Sequence, residues 1–293
     1  MINQNRIQSI EEFIENSLYN KKFGYYSKKN PFGKTGDFVT APLISSLFSE
    51  MVSIWTISYW ISLGKPKQFS FVELGPGNGA FCKTFCRTIK NFPEFEKSVK
   101  IYLFETSKKL IKIQKNSIND KKVFWIKNLE QIKKGPILFF GNEFFDSIPI
   151  KQFKIIKSNI YEKFLLFEKG KFKKFLFKKI SQKTIKKLKD LSLLRKKGII
   201  EYPEKGLKIL ELIIKKIHKF NGGILLIDYG YKKAEGNDTV QSLMSHKKNL
   251  FYKNIGKADI TYLVNFELLN KFFQKNRFVL NKIVNQSFFL KKL

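Results

Sequence analysis

The stretch that decides the fold is Phe69-Ser70-Phe71-Val72-Glu73-Leu74-Gly75-Pro76-Gly77-Asn78-Gly79-Ala80. It begins as a short apolar strand, continues as a loop with a glycine at every second position, and ends where a helix is predicted over 80–90. Glycines let a backbone turn sharply and approach a ligand without a Cβ clash, and the N-terminus of a helix presents free N–H groups. The stretch therefore predicts a ligand-binding loop at the carboxyl end of a buried strand.

Further strands and helices alternate along the chain from this point. Apolar strands are predicted at 101–104, 123–126, 137–140 and 224–227, and a helix at 107–118. Because short buried strands that alternate with helices pair in parallel, with helices on both faces, the chain is predicted to have an α/β fold with a Rossmann-like sheet. A helix is also predicted over 7–20 from the helical spacing of its apolar residues.

The alternation is interrupted between residues 150 and 200. Two apolar runs there are separated by Glu168-Lys169-Gly170-Lys171, which is typical of a hairpin, and a lysine-rich amphipathic stretch follows. The chain is therefore predicted to have four segments. They are an N-terminal helical cap with a glycine-rich loop for substrate or cofactor (1–66), the first part of a cofactor-binding domain (67–149), an inserted lysine-rich hairpin and helical subdomain (150–200), and the remainder of the cofactor-binding domain (201–293).

The composition of the 293 residues is strongly basic, with 56 Lys and Arg against 24 Asp and Glu and a formal net charge of +32. Such a charge favours nucleic acid as a partner, but only four of the 56 basic residues are arginine, the side chain on which phosphate and base recognition mainly depends. The chain is rich in Lys, Ile, Phe and Asn, whose codons are rich in A and T, so a biased genome accounts for the charge. No specific nucleic-acid partner is expected, only weak, salt-sensitive binding to polyanions.

The chain has two cysteines, Cys82 and Cys86, about one helical turn apart, and two histidines, His218 and His246. A structural metal site usually needs four ligands, so two reduced thiols on a packed helix are expected and no metal site is predicted. Two cysteines form no disulfide framework, which favours a reducing compartment, and the N-terminus lacks the apolar core of a signal peptide. The longest apolar run, 51–64, is shorter than the ~20 residues that a membrane span needs. A cytoplasmic protein without a membrane span is expected.

Two cofactors compete for the glycine loop. A dinucleotide loop needs Gly-x-Gly-x-x-Gly or Ala, which Gly75, Gly77 and Ala80 satisfy. A loop for S-adenosylmethionine (SAM) needs an acid followed by three alternating glycines, and this pattern is complete in Glu73, Gly75, Gly77 and Gly79. SAM has no pyrophosphate but carries an α-amino group, so an acidic side chain beside the loop suits it. The loop predicts SAM as the cofactor, and an NAD(P)-dependent oxidoreductase is the alternative.

Polar side chains follow the other strands, where the ligand crevice of a parallel sheet lies. Glu105 follows the second strand and is predicted to accept both ribose hydroxyls, and Asn142 follows the fourth strand as a further cofactor ligand. Glu143 and Asp146 come next and are predicted catalytic groups that hold a cationic nucleophile such as a guanidinium. Asp228, after the fifth strand, is a weaker candidate for the same role.

Each of these acids has a structural alternative. Glu73 and Glu105 would then be ordinary charges at strand ends. Asp146 would cap a turn while Glu143 binds the cofactor, and Asp228 would cap the loop before the next helix. The complete set, in order along the chain, favours the functional roles.

A series of short motifs extends over residues 20–290. They are Asn30-Pro31-Phe32-Gly33, Gly36-Asp37-Phe38, Thr40-Ala41-Pro42, Glu73 to Gly79, Glu105 with Ser107 and Gln114, Asn142-Glu143-Phe144-Phe145-Asp146, Ile148-Pro149, Gly223, Asp228-Tyr229-Gly230, His246, and Ala258-Asp259 with Thr261. In these motifs and their order the chain resembles the MidA-like family, which comprises mitochondrial complex I assembly methyltransferases and bacterial relatives. The glycine loop alone is generic, and the other motifs make the resemblance specific.

The resemblance implies a seven-strand SAM methyltransferase fold with an insertion, and methylation of arginine in a protein substrate, which for mitochondrial members is a subunit of respiratory complex I. A homodimer is a further expectation. Four positions depart from the family: Leu43 and Lys127 stand where acids are usual, and Leu263 and Asn265 replace a His and an Asp. The departure at Lys127 weakens the expectation of a contact with the adenine amino group. Together the departures keep a non-catalytic SAM-binding assembly factor as a second alternative.

Overall fold

The computed structural model describes residues 5–28, 42, 45–157, 159–195, 197–233, 235–244 and 247–293. These residues form two compact units. The parallel-sheet unit consists of the described residues of Asn30–Phe144, Glu211–Ile227 and Lys282–Leu293, and the antiparallel-sheet unit of those of Met1–Lys29, Phe145–Leu210 and Asp228–Asn281. This division differs from the predicted one, because 1–29 and most of 201–293 group with the predicted insertion rather than with the cofactor-binding segment.

The strands and helices are numbered along the chain. The described strands are β1 (Arg6–Ser9), β2 (Phe69–Leu74), β3 (Val99–Phe104), β4 (Val123–Ile126), β5 (Ile137–Asn142), β6 (Lys151–Ile156), β7 (Asn159–Glu168), β8 (Lys171–Lys179), β9 (Gly198–Tyr202), β10 (Gly222–Ile227), β11 (Gly230–Tyr231), β12 (Gln241–Met244), β13 (Lys247–Asn249), β14 (Asp259–Thr261) and β15 (Val264–Asn265). The described helices are α1 (Ile10–Tyr19), α2 (Tyr25–Lys28), α3 (Ser46–Ser62), α4 (Ala80–Ile89), α5 (Pro93–Ser98), α6 (Lys108–Ser117), α7 (Gln182–Asp190), α8 (Glu204–Phe220), α9 (Phe266–Lys275) and α10 (Gln286–Lys291). None of the helices within the described ranges combines the length and the apolar character that crossing a membrane requires.

The parallel-sheet unit is built on five strands in the order β10-β5-β2-β3-β4, and every neighbouring pair is parallel. From β2 the chain proceeds to β3 and β4 on one side of the sheet, and then to β5 and β10 on the other. A parallel sheet binds ligands at such a reversal, beyond the carboxyl ends of the strands, and the glycine loop lies at this end of β2. In the described part of the chain the sheet has five strands, whereas the resemblance implied seven.

Apolar side chains fill the core beside β2. All six residues of β2 are buried. Phe71 stacks on Phe85 of α4 with the ring centroids 4.3 Å apart. Cys82 and Cys86 are buried on the same helix with free thiols 3.9 Å apart. This packing fixes the strand and the helix on either side of the glycine loop.

The antiparallel-sheet unit contains a sheet in which β7 pairs with β1, β6 and β8, and β6 pairs with β9, all in antiparallel fashion. The hairpin between β7 and β8 turns at Lys169 and Gly170, both at positive φ, as the sequence predicted. The predicted helix over 7–20 is wrong at its start, because residues 6–9 pair with β7 as a strand. The helix α1 begins only at Ile10, where Ser9 and Glu12 form a capping box. This pairing is the reason that the N-terminal segment groups with the predicted insertion.

A network of buried polar side chains connects this sheet to the segment before β12. The Lys163 ammonium donates to Oδ2 of Asp238 at 2.7 Å and to Oε1 of Gln152 at 3.1 Å. Nε2 of Gln152 donates to Oε1 of Glu201 at 3.0 Å, and the N–H of Thr239 donates to the same oxygen at 2.9 Å. The charge of Lys163 is therefore balanced inside the unit.

Candidate cofactor-binding site

The glycine loop leaves β2 and leads directly into α4. Gly75, Gly77 and Gly79 have φ values of 63°, 56° and 83°, in the left-handed region that favours glycine. The Gly75 N–H donates to the Phe104 carbonyl of β3 at 3.1 Å, and the Gly79 N–H donates to the Pro76 carbonyl at 2.8 Å. Backbone hydrogen bonds therefore hold the loop at both ends, and its alternate residues carry no side chain.

Two of these glycines are also required by packing. A Cβ on Gly75 would lie 2.9 Å from Cδ2 of Phe144, and a Cβ on Gly79 would lie 2.9 Å from Cδ1 of Ile118. Contacts of this length are too close for carbon atoms, so alanine at either position forces a neighbour to move. Packing therefore requires glycine at these two positions, in addition to the close approach of a ligand that glycine permits.

Glu73, on β2, is a buried acidic side chain of this unit's predicted site. The residue is 4% exposed, and its Oε2 atom has no hydrogen-bond partner among the residues that the structure describes. Burial raises the pKa of Glu73 to about 8, and the negative charge of Glu105 contributes to the same shift. A buried carboxyl with an unused oxygen costs free energy unless a donor or a cation comes to it. The side chain is therefore suited to bind a cationic group.

Glu105, directly after β3, is held by more contacts. Its Oε1 atom accepts from the N–H groups of Thr106 at 2.8 Å and Ser107 at 2.7 Å, and its Oε2 atom lies 3.5 Å from Nε2 of Gln114. Burial raises the pKa of Glu105, and these hydrogen bonds oppose the shift. One oxygen is thus fixed by the backbone, while the other, whose bond to Gln114 is long, can accept from a hydroxyl.

Gln114 of α6 connects the parts of the site. In the sequence it stands out only as one residue of the family motifs. It is 0% exposed, its Nε2 donates to the Gly77 carbonyl at 2.7 Å, and its Oε1 accepts from Nε1 of Trp125 at 2.9 Å. The sequence does indicate that Gln114 has a role in the interior. It is a polar residue four positions after Leu110, so it lies on the face of the predicted helix that packs inward. Gln114 therefore fixes the carbonyl at the centre of the loop.

Asn142 ends β5, the strand beside β2. Its Nδ2 donates to Oε1 of Glu143 at 3.3 Å, and the Glu143 N–H donates to the Ile227 carbonyl at the end of β10 at 2.8 Å. Glu143 has a φ of 50°, which is uncommon for a residue with a side chain. Such backbone strain persists only where the surrounding structure imposes it, and it is concentrated at functional sites. Asn142 and Glu143 thus lie at the carboxyl end of β5, the strand placed beside β2 where the order of strands along the chain reverses direction across the sheet.

Seven of the nine predicted site residues thus belong to the parallel-sheet unit, and the other two, Asp146 and Asp228, belong to the antiparallel-sheet unit. The carboxylate of Asp228 accepts from three backbone N–H groups, those of Phe145 at 2.9 Å, Asp146 at 3.4 Å and Tyr229 at 2.9 Å. Of these three donors, only the Tyr229 N–H belongs to the loop that the structural alternative for Asp228 said it would cap. The side chain of Asp146 is half-buried, and its main-chain carbonyl accepts from the N–H of Tyr262 at 3.1 Å.

The remaining positions are those of the family motifs and of the departures from the family. Gly36-Asp37-Phe38, Leu43 and His246 lie outside the described residues. Lys127 is exposed after β4. Asn265, which departs from the family, caps α9 through its side-chain oxygen. This last departure therefore has a structural role.

Most of the chain matches one protein family. Residues 51–283 match the family described as "Putative S-adenosyl-L-methionine-dependent methyltransferase". The chain belongs to this methyltransferase family. The matched region includes the glycine loop and every predicted site residue from Glu73 to Asp228. The predicted family is thereby confirmed.

The chain is similar to proteins that are named as mitochondrial. The chain is 27% identical over 287 residues to "Protein arginine methyltransferase NDUFAF7, mitochondrial" of Xenopus laevis, covering 90% of this chain and 65% of that protein. It is 28% identical over 290 residues to the protein of the same name from Homo sapiens, covering 91% and 65%. The chain thus spans just under two thirds of the length of these two relatives.

Solved structures share the fold. The crystal structure of a Burkholderia thailandensis protein bound to S-adenosyl-homocysteine aligns with a TM-score of 0.74 at 19% identity, covering 92% of this chain and 72% of that one. A second crystal structure of a protein from the same organism aligns with a TM-score of 0.74 at 17% identity. These similarities confirm the predicted α/β fold with a parallel sheet.

Proposed function

We propose that this chain binds SAM at the glycine loop and transfers the methyl group to a guanidinium nitrogen of arginine in a protein substrate. The observation that carries the proposal is the buried Oε2 atom of Glu73, which has no hydrogen-bond partner in the described part of the chain and lies on the strand that leads into the loop. When bound, SAM supplies an electrophilic methyl group on a sulfonium centre. Family membership and the similarity to a structure that holds S-adenosyl-homocysteine support this cofactor.

The residues of the parallel-sheet unit fit the cofactor. Glu73 would bind the α-ammonium group, which supplies both the donor and the positive charge that its carboxylate lacks. Oε2 of Glu105 would accept from the ribose hydroxyls while Oε1 keeps its bonds to the backbone. Gly75, Gly77 and Gly79 would let the cofactor approach the main chain closely. Asn142 would add an amide at the end of β5.

The same acids argue against a dinucleotide. A pyrophosphate is anionic, and free N–H groups at a helix N-terminus bind it. Beside this loop it would meet the carboxyl groups of Glu73 and Glu105, and it would leave the unused oxygen of Glu73 without a donor. The NAD(P)-dependent alternative is therefore disfavoured by the charge of the site.

Arginine as the substrate is supported by the names of the relatives, which are protein arginine methyltransferases. A guanidinium is a weak nucleophile because its charge is delocalised, so a carboxylate has to align it and stabilise the charge that develops. Glu143 and Asp146 would supply this carboxylate. Asp228 is the weaker candidate because three backbone N–H groups already bind its oxygens.

Three finer predictions accompany this proposal. The substrate would be a subunit of respiratory complex I, the chain would act in the cytoplasm, and it would form a homodimer. Mass spectrometry of methylated arginines in cells with and without the protein, cell fractionation, and light scattering measure these three properties separately.

The experiment combines SAM affinity, measured by calorimetry, with transfer of a tritiated methyl group into a lysate from cells that lack the protein. We expect SAM binding and transfer into protein. Asp146→Asn should keep SAM affinity within a few-fold and lower transfer by roughly 10²-fold, the effect of losing one positioned electrostatic group. Glu143→Gln should do the same, unless Glu143 binds the cofactor, in which case SAM affinity falls instead.

Asp190→Asn is the matched control, since this aspartate lies at the surface of the antiparallel-sheet unit and its carboxylate is 3.5 Å from the Lys275 ammonium. It should change neither affinity nor transfer. SAM binding without transfer by the unmodified protein would favour the non-catalytic assembly factor. Tight NADH binding without SAM binding would refute the proposal.

A further inference from the structure

One buried glutamine joins separate parts of the predicted cofactor site within the parallel-sheet unit. Gln114 of α6 is 0% exposed. Its Nε2 atom donates to the Gly77 carbonyl at 2.7 Å and lies 3.5 Å from Oε2 of Glu105. Its Oε1 atom accepts from Nε1 of Trp125, on β4, at 2.9 Å. A single side chain therefore contacts the glycine loop, the carboxylate that follows β3 and the neighbouring strand.

The orientation of this amide is imposed by its partners. An indole N–H can only donate a hydrogen bond, and a main-chain carbonyl can only accept one. The oxygen of Gln114 must consequently face Trp125, and its nitrogen must face Gly77. The second hydrogen of the nitrogen is then left for Glu105. The bonds thus have one direction, from the indole through the amide to the loop and the carboxylate.

Trp125 is a well-fixed donor for this amide. Its strand β4 is paired in parallel with β3, where Trp125 is the partner of Leu103. The indole packs, partly buried, against the hydrophobic core of the unit. The Lys115 ammonium lies 5.3 Å from the centroid of the ring, a distance at which a cation is attracted to an aromatic face. The sheet therefore sets the position of the indole, and the indole sets that of the amide.

The carboxylate of Glu105 is held at both of its oxygens, but not equally. Oε1 accepts from two main-chain N–H groups, and Oε2 has the longer contact with Gln114. An ionised carboxylate oxygen accepts about two hydrogen bonds, so Oε2 keeps capacity for a hydroxyl while Gln114 limits its rotation. Since the same amide also holds the Gly77 carbonyl, it sets the separation between the loop and this acceptor.

We propose that Trp125 and Gln114 position Glu105 against the glycine loop so that the site selects a cofactor that carries ribose hydroxyls. Both are positioning residues, which act through Glu105 and Gly77 rather than by touching the ribose. The inference rests on the proposed function, in which Oε2 of Glu105 accepts from these hydroxyls. It names the residues that make this recognition selective.

The test is calorimetric titration of the full chain with S-adenosyl-homocysteine and with an analogue that lacks both ribose hydroxyls. The unmodified protein should bind S-adenosyl-homocysteine at least about tenfold more tightly than the analogue, the scale of hydrogen bonds to a charged group. In Gln114→Leu this preference should fall to about twofold, because the hydroxyls and the amide are coupled through Glu105. A purely structural role would weaken the binding of both ligands by the same factor and leave the preference unchanged.

Trp125→Phe is a second variant, which keeps an aromatic ring and the amide but removes the indole N–H. The amide is then free to turn, so we expect the preference to fall in the same direction by a smaller factor. Thermal unfolding establishes that each variant is folded at the temperature of the titration. If Gln114→Leu is not folded, Trp125→Phe decides.

Gln68→Leu is the matched control, since Gln68 is an exposed glutamine of the same unit, directly before the amino end of β2. It should change neither the affinities nor the preference. An undiminished preference in the folded variants of Gln114 and Trp125 would overturn the inference. Equal binding of the two ligands by the unmodified protein would also overturn it. Failure of the unmodified protein to bind either SAM or S-adenosyl-homocysteine would overturn the proposed function instead.

Discussion

The two units treat a buried ionisable side chain in opposite ways. In the parallel-sheet unit, Glu73 is 4% exposed and one of its oxygens has no partner among the described residues. In the antiparallel-sheet unit, the Lys163 side chain is 8% exposed, but its ammonium binds Asp238 at 2.7 Å and Gln152 at 3.1 Å. A paired buried charge joins segments of the chain, whereas an unpaired one destabilises the fold and stays available for a ligand. The partners of a buried charge therefore distinguish a structural role from a binding role.

Removing a partner from the paired charge should have the largest effect on stability. Asp238→Ala leaves the Lys163 ammonium buried without its counter-charge. We expect a loss of about 3 kcal/mol, the lower end of the range for a broken buried pair, because the Asp238 side chain is 34% exposed. Urea unfolding followed by circular dichroism measures the loss.

The matched control is Glu94→Ala, which breaks the exposed ion pair between Glu94 and Lys65. Exposed pairs contribute little because water and salt screen them, so no measurable change is expected. Equal destabilisation by the two variants would show that burial of Lys163 is unimportant.

Substitution in the glycine loop should have the next largest effect on stability. A second glycine outside the loop separates the cost of backbone strain from the cost of overpacking. Gly79 and Gly64 have nearly identical φ values of 83° and 82°, but a Cβ on Gly79 meets Ile118 at 2.9 Å, whereas a Cβ on Gly64 meets nothing within 4 Å. Gly64→Ala should lose about 1 kcal/mol from backbone strain alone. Gly79→Ala should lose about 2–3 kcal/mol because overpacking is added to the strain.

Thermal unfolding measures the two losses, and calorimetry should show weaker SAM binding for Gly79→Ala only. Equal losses would mean that the packing around Gly79 adapts freely.

The parallel-sheet unit could be predicted from the sequence because its determinants are local. The strand Phe69–Leu74, the glycine loop and the helix that follows lie within about twenty residues, and the five strands of the sheet all coincide with predicted apolar runs. Glu73 and Glu105 were identified by their positions after or within these strands. Their burial, and the unused oxygen of Glu73, required the structure.

The antiparallel-sheet unit could not be predicted in the same way because its contacts are distant in sequence. The strand β1 exists only through pairing such as that of Arg6 with Phe167, so the helical spacing of 7–20 gave a helix that starts too early. The hydrogen bonds from Phe145 and Asp146 to the Asp228 carboxylate likewise join segments more than eighty residues apart. Local periodicity carries no signal for contacts of this kind.

The buried carboxyl of Glu73 should give stability a characteristic dependence on pH. Glu73 has a pKa of about 8 in the folded protein against 4.5 as the ordinary value, so the folded state keeps a proton that the unfolded state loses. Its contribution to stability therefore falls as the pH rises from 4.5 to 8 and is constant above that.

Glu73→Gln lacks this titration, so its stability relative to the unmodified protein should rise as the pH increases from 4.5 to 8. At pH 4.5 the two proteins should be much closer in stability. Urea unfolding at the two pH values measures the difference. A variant that is less stable at both would indicate that Glu73 has a structural partner.

The central claim is that the buried, unpaired carboxyl of Glu73 anchors the cationic end of SAM. Calorimetric titration with SAM at pH 7, in two buffers of different ionisation enthalpy, tests it most directly. Because the pKa of free Glu73 is about 8, a bound cation should expel a proton, and we expect release of close to one proton per SAM. Glu73→Gln should lower the affinity ~10-fold or more and abolish this release. Equal affinity and equal proton release in the two proteins would contradict the claim.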